Sequence, residues 1–189
     1  MYLFFDTETT GLPRKWNAPI TDLDNWPRLE QLAWLSYDES GKEAGRGDLI
    51  VKPDGFLIPA DSAKIHGIST ERALVEGKAL PEVLLKFNAA MKSAEVLVAH
   101  NMSFDEKIVG AEFLRANVAN ELEQKNKICT MHGTKEFCGI AGQYGLKWPR
   151  LSELHQKLFG HDFVEAHNAA NDIKATARCF WELKKRGVL

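Results

Sequence analysis

Tyr2-Leu3-Phe4-Phe5-Asp6-Thr7-Glu8-Thr9-Thr10-Gly11 opens the chain: an apolar strand that runs directly into two acids. Side chains alternate along a strand, so Asp6 and Glu8 project from one face and Thr7 from the other. Two carboxylates held side by side repel unless a cation sits between them, and an all-oxygen cluster suits Mg²⁺ or Mn²⁺. The bland alternative is an acidic strand end that faces water. The rest of the chain decides between the two.

Working outward, residues 13–28 hold Pro13, Pro19 and Pro27 among several Asp and Asn, and read as a loop insertion. Leu29 to Tyr37 reads as a second strand, Asp38 to Gly41 as a turn, and Asp48 to Lys52 as a third strand. Strands so close in sequence pair most easily as antiparallel neighbours. The period then changes. Leu80, Leu84, Phe87 and Met91 recur at helical spacing, with Pro81 suited to a first turn. Glu95 to Ala99 is a short buried strand, and Ser103 with Glu106 forms a capping box for a helix reaching about Ala116. Lys127 to Met131 supplies a fifth strand. Leu151, Leu154 and Leu158 mark a helix ended by Gly160, and a last helix runs from Ala169 to Lys185. Three antiparallel strands followed by alternating helices and strands imply an α/β fold, a mixed sheet flanked by helices. Residues 1–189 form a single domain on this reading, with no interdomain linker and no repeats.

Composition narrows the function. Apolar residues make up 44% and charged residues 26%, the balance of an ordinary globular chain. With 24 basic against 26 acidic residues the net charge is −2, which argues against coating a long duplex but not against gripping one strand end. Cys129, Cys138 and Cys179 are sparse and odd in number, as in a reducing compartment. Cys129, His132 and Cys138 lack a fourth partner at a zinc spacing. No signal peptide or membrane-spanning run is legible, so the expected location is the cytoplasm.

More acids join the first two. Asp105 falls in the first turn of the helix after residues 95–99, and sites in open α/β sheets gather at the carboxyl ends of strands. It could equally stabilise its own helix N-terminus. His167-Asn168-Ala169-Ala170-Asn171-Asp172 places Asp172 near the start of the last helix, with His167 in the loop before it. Ala169 and Ala170 permit close approach of that helix to the sheet.

At this point the residues match a family. Phe5 to Leu12 (F-D-T-E-T-T-G-L), His100 to Asp105 (H-N-M-S-F-D) and His167 to Asp172 (H-N-A-A-N-D) resemble, in order, the three motifs of the DEDD exonuclease superfamily. This group includes the proofreading epsilon subunit of bacterial DNA polymerase III, RNase T and oligoribonuclease. The third motif has the form of the histidine subclass, and the first is closer to the epsilon-like pattern. Ile65-His66-Gly67-Ile68 and the segment Trp148 to Leu154 also resemble elements of these enzymes.

The resemblance implies a ribonuclease H-like sheet of five strands, three antiparallel and then two parallel. It implies a metal-dependent 3′–5′ exonuclease that releases nucleoside 5′-monophosphates. Asp6, Glu8, Asp105 and Asp172 would hold two Mg²⁺ or Mn²⁺ ions, with His167 as the general base. Thr9, Leu12, His66, Asn101 and Phe104 would contact the substrate, although Phe104 could instead be a core residue beside Ile108. The partner is a nucleic-acid 3′ end, DNA before RNA. An RNase T-like exoribonuclease and a catalytically silent binding module on the same fold are the alternatives. Residues 13–28 exceed the connection of a minimal exonuclease; Trp16 and Trp26 either cover the site or pack on the sheet edge. The chain stops soon after its last helix, without the region by which epsilon engages its polymerase, which favours a stand-alone nuclease. RNase T-like enzymes are dimers, so a homodimer stays open.

Overall fold

Alternation in Tyr2–Thr9 gives strand β1 two apolar faces, and a strand buried on both faces belongs in the middle of a sheet. The structure, a computed structural model, describes residues 1–163 and 168–189. In it β1 pairs antiparallel with β2 (Leu29–Tyr37), which pairs antiparallel with β3 (Glu43–Ile50). On its other side β1 pairs parallel with β4 (Val96–Ala99), and β4 with β5 (Asn126–Cys129). The sheet order β3-β2-β1-β4-β5 is the mixed five-stranded arrangement expected from the sequence.

Helices cover both faces. Leu3, Phe5, Leu32 and Leu97 pack against α3 (Leu80–Lys92) and α4 (Met102–Arg115) through Leu84, Phe87, Ile108 and Val109. Phe4, Ala33, Leu35 and Val98 face the opposite way, onto α8 (Ala169–Lys185) through Ala169, Ile173, Ala177 and Phe180. Helix α7 (Leu151–Phe159) lies against α8 through Leu154, Leu158, Cys179 and Leu183. Short helices α1 (Ala60–His66) and α2 (Thr70–Glu76) link β3 to α3. Helices α5 (Thr130–Gly133) and α6 (Lys135–Cys138), then the two-residue strands β6 (Ala141–Gly142) and β7 (Gly145–Leu146), link β5 to α7. Among the described residues no helix is long and apolar enough to cross a membrane.

Several boundaries differ from the sequence reading. The third strand begins at Glu43, because glycine at 45 and 47 hides the strand signal in a segment that pairs with β2 along its whole length. Gly47 is needed there: a Cβ would lie 2.1 Å from the Trp34 indole that crosses it. The fifth strand is Asn126–Cys129, since the Cys129 Sγ already caps α5 by accepting the His132 N–H. Helix α4 starts at Met102, with Asn101 as N-cap in the left-handed region at φ 81°, so Ser103 and Glu106 form no capping box. The Ser103 hydroxyl donates to Asn101 Oδ1 instead.

Residues 13–28 fold back onto α4. Glu112, buried on that helix, accepts from Arg28 Nε at 2.9 Å, the Leu29 N–H at 3.0 Å and Arg115 Nη1 at 2.9 Å. Arg115 also donates to the carbonyls of Leu23 and Trp26. Trp26 is buried in the core with its Nε1 donating to the Pro19 carbonyl, whereas Trp16 stays 53% exposed. The two tryptophans left undecided by sequence therefore divide, one into the core and one onto the surface.

Candidate active site

The carboxyl ends of β1, β4 and β5 share one edge of the sheet, because these three strands run parallel. Asp6 and Glu8 stand there, on the face of β1 that carries α8. Helix α8 brings the third acid: Asn168 caps it, its Oδ1 accepting the Ala170 N–H at 3.1 Å, and its first turn presents Asp172. Ala169 is wholly buried, so nothing larger than a methyl holds this helix end off the sheet. Carboxylate oxygens of Asp6, Glu8 and Asp172 all lie within 4.8 Å of one another. Among the described residues this is the one grouping of three or more His, Cys, Asp or Glu side chains close enough to share an ion.

Asp105 approaches from the opposite face of the sheet. Its Oδ1 accepts the Thr7 N–H at 3.1 Å and the Thr7 hydroxyl at 2.7 Å, and the side chain is buried. Asp105 thus stands beside the other three acids rather than within their 4.8 Å cluster, its orientation fixed by Thr7. His167, expected as the general base, lies outside the described residues.

Crowded burial marks the electrostatics. Desolvation pushes the Asp6 carboxyl well above the usual carboxylate range, and Asp105, Asp172 and Glu8 add to the rise. Glu8 is pushed up to about 7, by burial first; His66 opposes the rise, while Asp172, Asp105 and Glu30 reinforce it. Asp105 is also pushed up to about 7 by burial, against the pull of the two Thr7 hydrogen bonds. A group of acids this reluctant to ionise together is one that a cation would stabilise.

The expected substrate contacts occupy distinct settings. Leu12 is 73% exposed beyond the acids. The Thr9 hydroxyl donates to the Gly11 carbonyl at 2.7 Å and closes the turn after β1. Asn101 lies at the start of α4, and Phe104 packs both on the core and on Trp16, with ring centroids 5.8 Å apart. His66 is buried: its Nδ1 accepts the Ile68 N–H at 3.2 Å, and its Nε2 lies 2.5 Å from Glu30 Oε2. Gly67, left-handed at φ 75°, turns the chain so that this ring points inward.

Two residues of the site escaped the sequence reading. Thr7 was assigned only to the far face, without its role in holding Asp105. Glu30 is buried beside Glu8 by a β-bulge: Glu8 pairs with Gln31 and Thr9 with Leu29, so Glu30 is the extra residue of β2. A signal existed. Leu29 and Leu32 both reach the same core, which unbroken alternation forbids for residues three apart.

Comparisons with known proteins agree with this geometry. The family model described as exonuclease, of RNase T type, matches residues 3–180. The epsilon subunit of DNA polymerase III from Treponema pallidum is 34% identical over 178 residues, covering 93% of this chain and 73% of that protein. The PolC-type DNA polymerase III of Mycoplasmopsis pulmonis is 29% identical over 194 residues, covering 99% of this chain but 12% of the polymerase. In fold, the chain is similar to Escherichia coli exonuclease I crystallised with a dA16 oligonucleotide: TM-score 0.78 at 21% identity, over 98% of this chain and 41% of that one. The chain is thus a small fraction of PolC and less than half of exonuclease I. With nearly its whole length matched by the family model and its acids gathered at one strand end, the chain belongs to the RNase T-type exonuclease family.

Proposed function

We propose that this chain is a metal-dependent 3′–5′ exonuclease that hydrolyses the terminal phosphodiester of DNA, single strands foremost, and releases nucleoside 5′-monophosphates. The observation that carries the reading is the meeting of Asp6, Glu8 and Asp172 within 4.8 Å, with Asp105 locked beside them. The donors are all carboxylate oxygens, a set that suits hard ions such as Mg²⁺ or Mn²⁺. Asp6, Glu8 and Asp172 would hold one ion, and Asp105 would serve a second. Such ions supply Lewis-acid stabilisation of charge on the phosphate and a nucleophilic water at neutral pH.

The chain's own residues do the rest. Thr7 engages Asp105 through Oδ1 alone, which keeps its second oxygen out of that pair of hydrogen bonds, and the α8 N-terminus sets Asp172 within reach of Asp6 and Glu8. His167, next to the Asn168 cap, takes the proton of the attacking water in this proposal; a histidine of ordinary pKa about 6.5 is suited to that near neutrality. Leu12, exposed past the acids, is positioned to lie against the terminal base. The preference for DNA rests on the identity with the epsilon subunit, and RNA of the same sequence is the control.

The test is digestion of 5′-labelled single-stranded DNA and RNA with Mg²⁺, Mn²⁺ or EDTA, beside Asp6→Ala. The expected result is a ladder shortening from the 3′ end, with metal only, lost in the variant and faster on DNA. Intact strands under every metal would refute the enzyme and leave a binding module on this fold.

A further inference from the structure

Three loops leave the sheet at the same edge as the acids: residues 10–28 after β1, His100-Asn101 after β4, and α5 after β5. Between them lies a groove of about 600 Å³ whose walls include Trp16, Asn101, Lys107, His132 and Trp148. Its relation to the acids follows from helix geometry. Ser103 and Lys107, four residues apart, both line the groove, whereas Asp105 between them points the other way, onto Thr7. The first turns of α4 therefore stand between the groove and Asp105.

The groove is aromatic, open and fixed. Trp16 is 53% exposed and Trp148 57%. Neither ring is loose: the Trp16 indole rests on Phe104, and its backbone carbonyl accepts from Lys107 Nζ at 2.8 Å. Trp148 stacks on His132, with ring centroids 4.9 Å apart and planes tilted by 39°. Beyond Trp148 the β6–β7 hairpin carries Tyr144 almost wholly in solvent. Asn17, Asn101 and Ser103 add amide and hydroxyl groups to the lining of the same groove. Flat rings held open beside polar edges match nucleobases, each of which has a π-face to stack and a hydrogen-bonding rim.

We propose that this groove is a second binding site, a stacking platform for bases of the single strand that lie 5′ to the cleaved nucleotide, with Trp16 and Trp148 as its two anchors. The proposal rests on the exonuclease reading for the direction of the strand: the acids and the groove lie at the same edge of the sheet, so a 3′ end held at Asp6 and Glu8 leaves its next bases to run along the edge that carries the groove. It also assigns a purpose to residues 13–28, which carry Trp16 out over α4. With a net charge of −2, the chain holds a strand here by stacking rather than by a basic track.

The experiment is equilibrium binding of 5′-fluorescein-labelled dT10, dA10 and dT2 in EDTA, read by anisotropy. It compares wild type, Trp16→Ala, Trp148→Ala, Trp16→Phe, Trp148→Phe and the remote surface control Leu85→Ala, each checked for folding by thermal melt. Each alanine variant should bind the ten-mers roughly 5- to 150-fold more weakly. The phenylalanine variants should recover most of the loss, Leu85→Ala should match wild type, and dT2 should be indifferent to all of them. Alanine variants that bind the ten-mers as wild type does would overturn the platform, as would a wild type with no affinity for them. Cleavage with tryptophan-independent binding would refute the platform alone. Tryptophan-dependent binding without cleavage under any metal would leave the platform standing and refute the exonuclease.

Discussion

Glu8→Gln should make the metal-free protein more stable while abolishing its cleavage of nucleic acid. Burial among like charges raises the Glu8 carboxyl from 4.5 to about 7 in the folded chain. Between those values the folded state holds a proton that the unfolded state has released, so stability falls as pH rises through this window. The full shift corresponds to about 3 kcal/mol above pH 7, less where salt screens the partly exposed carboxylate. Glutamine has the same shape and no charge to repel its neighbours. In EDTA at pH 8 the variant should therefore gain about 3 kcal/mol, or about 6–12 °C in melting temperature, and at pH 4.5 the gain should vanish. The difference between the two proteins is the proper quantity, because His100 pulls the other way. Burial lowers that imidazole from 6.5 to about 4, so its contribution to stability grows as pH rises from 4 to 6.5. Both proteins keep His100, and its effect cancels in the difference. Millimolar Mg²⁺ should then close the gap by stabilising wild type alone, by about 2.7 kcal/mol at a hundred times its dissociation constant. Urea denaturation from pH 4.5 to 8, with EDTA or Mg²⁺, is the assay. A Glu8→Gln protein no more stable than wild type at pH 8 in EDTA, or a gap that does not change with pH, would refute the reasoning.

Three further substitutions, at two positions, separate structural from chemical roles. Asp105→Asn keeps an oxygen to accept from the Thr7 N–H and hydroxyl, so it should fold within about 1 kcal/mol of wild type yet lose cleavage; Asp105→Ala leaves both donors buried and unpaired and should cost about 1–3 kcal/mol more, as urea denaturation of the two would show. Glu112→Ala removes the shared acceptor of Arg28, Arg115 and the Leu29 N–H; because both guanidinium groups retain some exposure, the loss should sit at the low end of a broken buried pair, about 3 kcal/mol, with residues 13–28 the first to become protease-sensitive in limited digestion.

The order of strands, the three acids of the cluster and the last helix were legible because each rests on a local rule. Short runs rich in apolar and aromatic residues mark β1 and β2, and Asn168 followed by small residues marks the start of α8. What was not legible depends on residues distant in sequence. Glu30 reaches the site only because a bulge shifts its register by one, and a bulge leaves no mark on propensity. The third strand, expected at Asp48 to Lys52, runs over Glu43–Ile50: Gly45 and Gly47 carry no strand propensity, yet Gly47 is there to let Trp34 cross the strand. The short helices α1 and α2 bury too little to show a period; α2 contributes only Ala73 to the interior. The fate of Trp16 and Trp26 turned on Arg115 and Lys107, about ninety residues away, which hold the loop carbonyls.

The location of the site follows from where β1 loses a neighbour. β2 pairs with β1 along its whole length, but β4 pairs only from Tyr2 to Phe4. Beyond Phe4 the sheet opens, because β4 ends at Ala99 and the chain turns away through the left-handed Asn101 into α4. A central strand that loses a partner exposes backbone donors, and a buried donor must be satisfied. The Thr7 N–H, left without a neighbouring strand, is taken by the Asp105 carboxylate that the same turn delivers. One side chain therefore completes the hydrogen bonding of the sheet and brings a fourth acid to the opening. The opening itself is what allows Asp6 and Glu8, on the same face of β1 as Phe4, to be met by Asp172 rather than by a neighbouring strand's side chains. The acids sit where the sheet runs out of strand, and the packing below them in Phe4, Phe5, Leu97 and Val98 is what holds them there against their mutual repulsion.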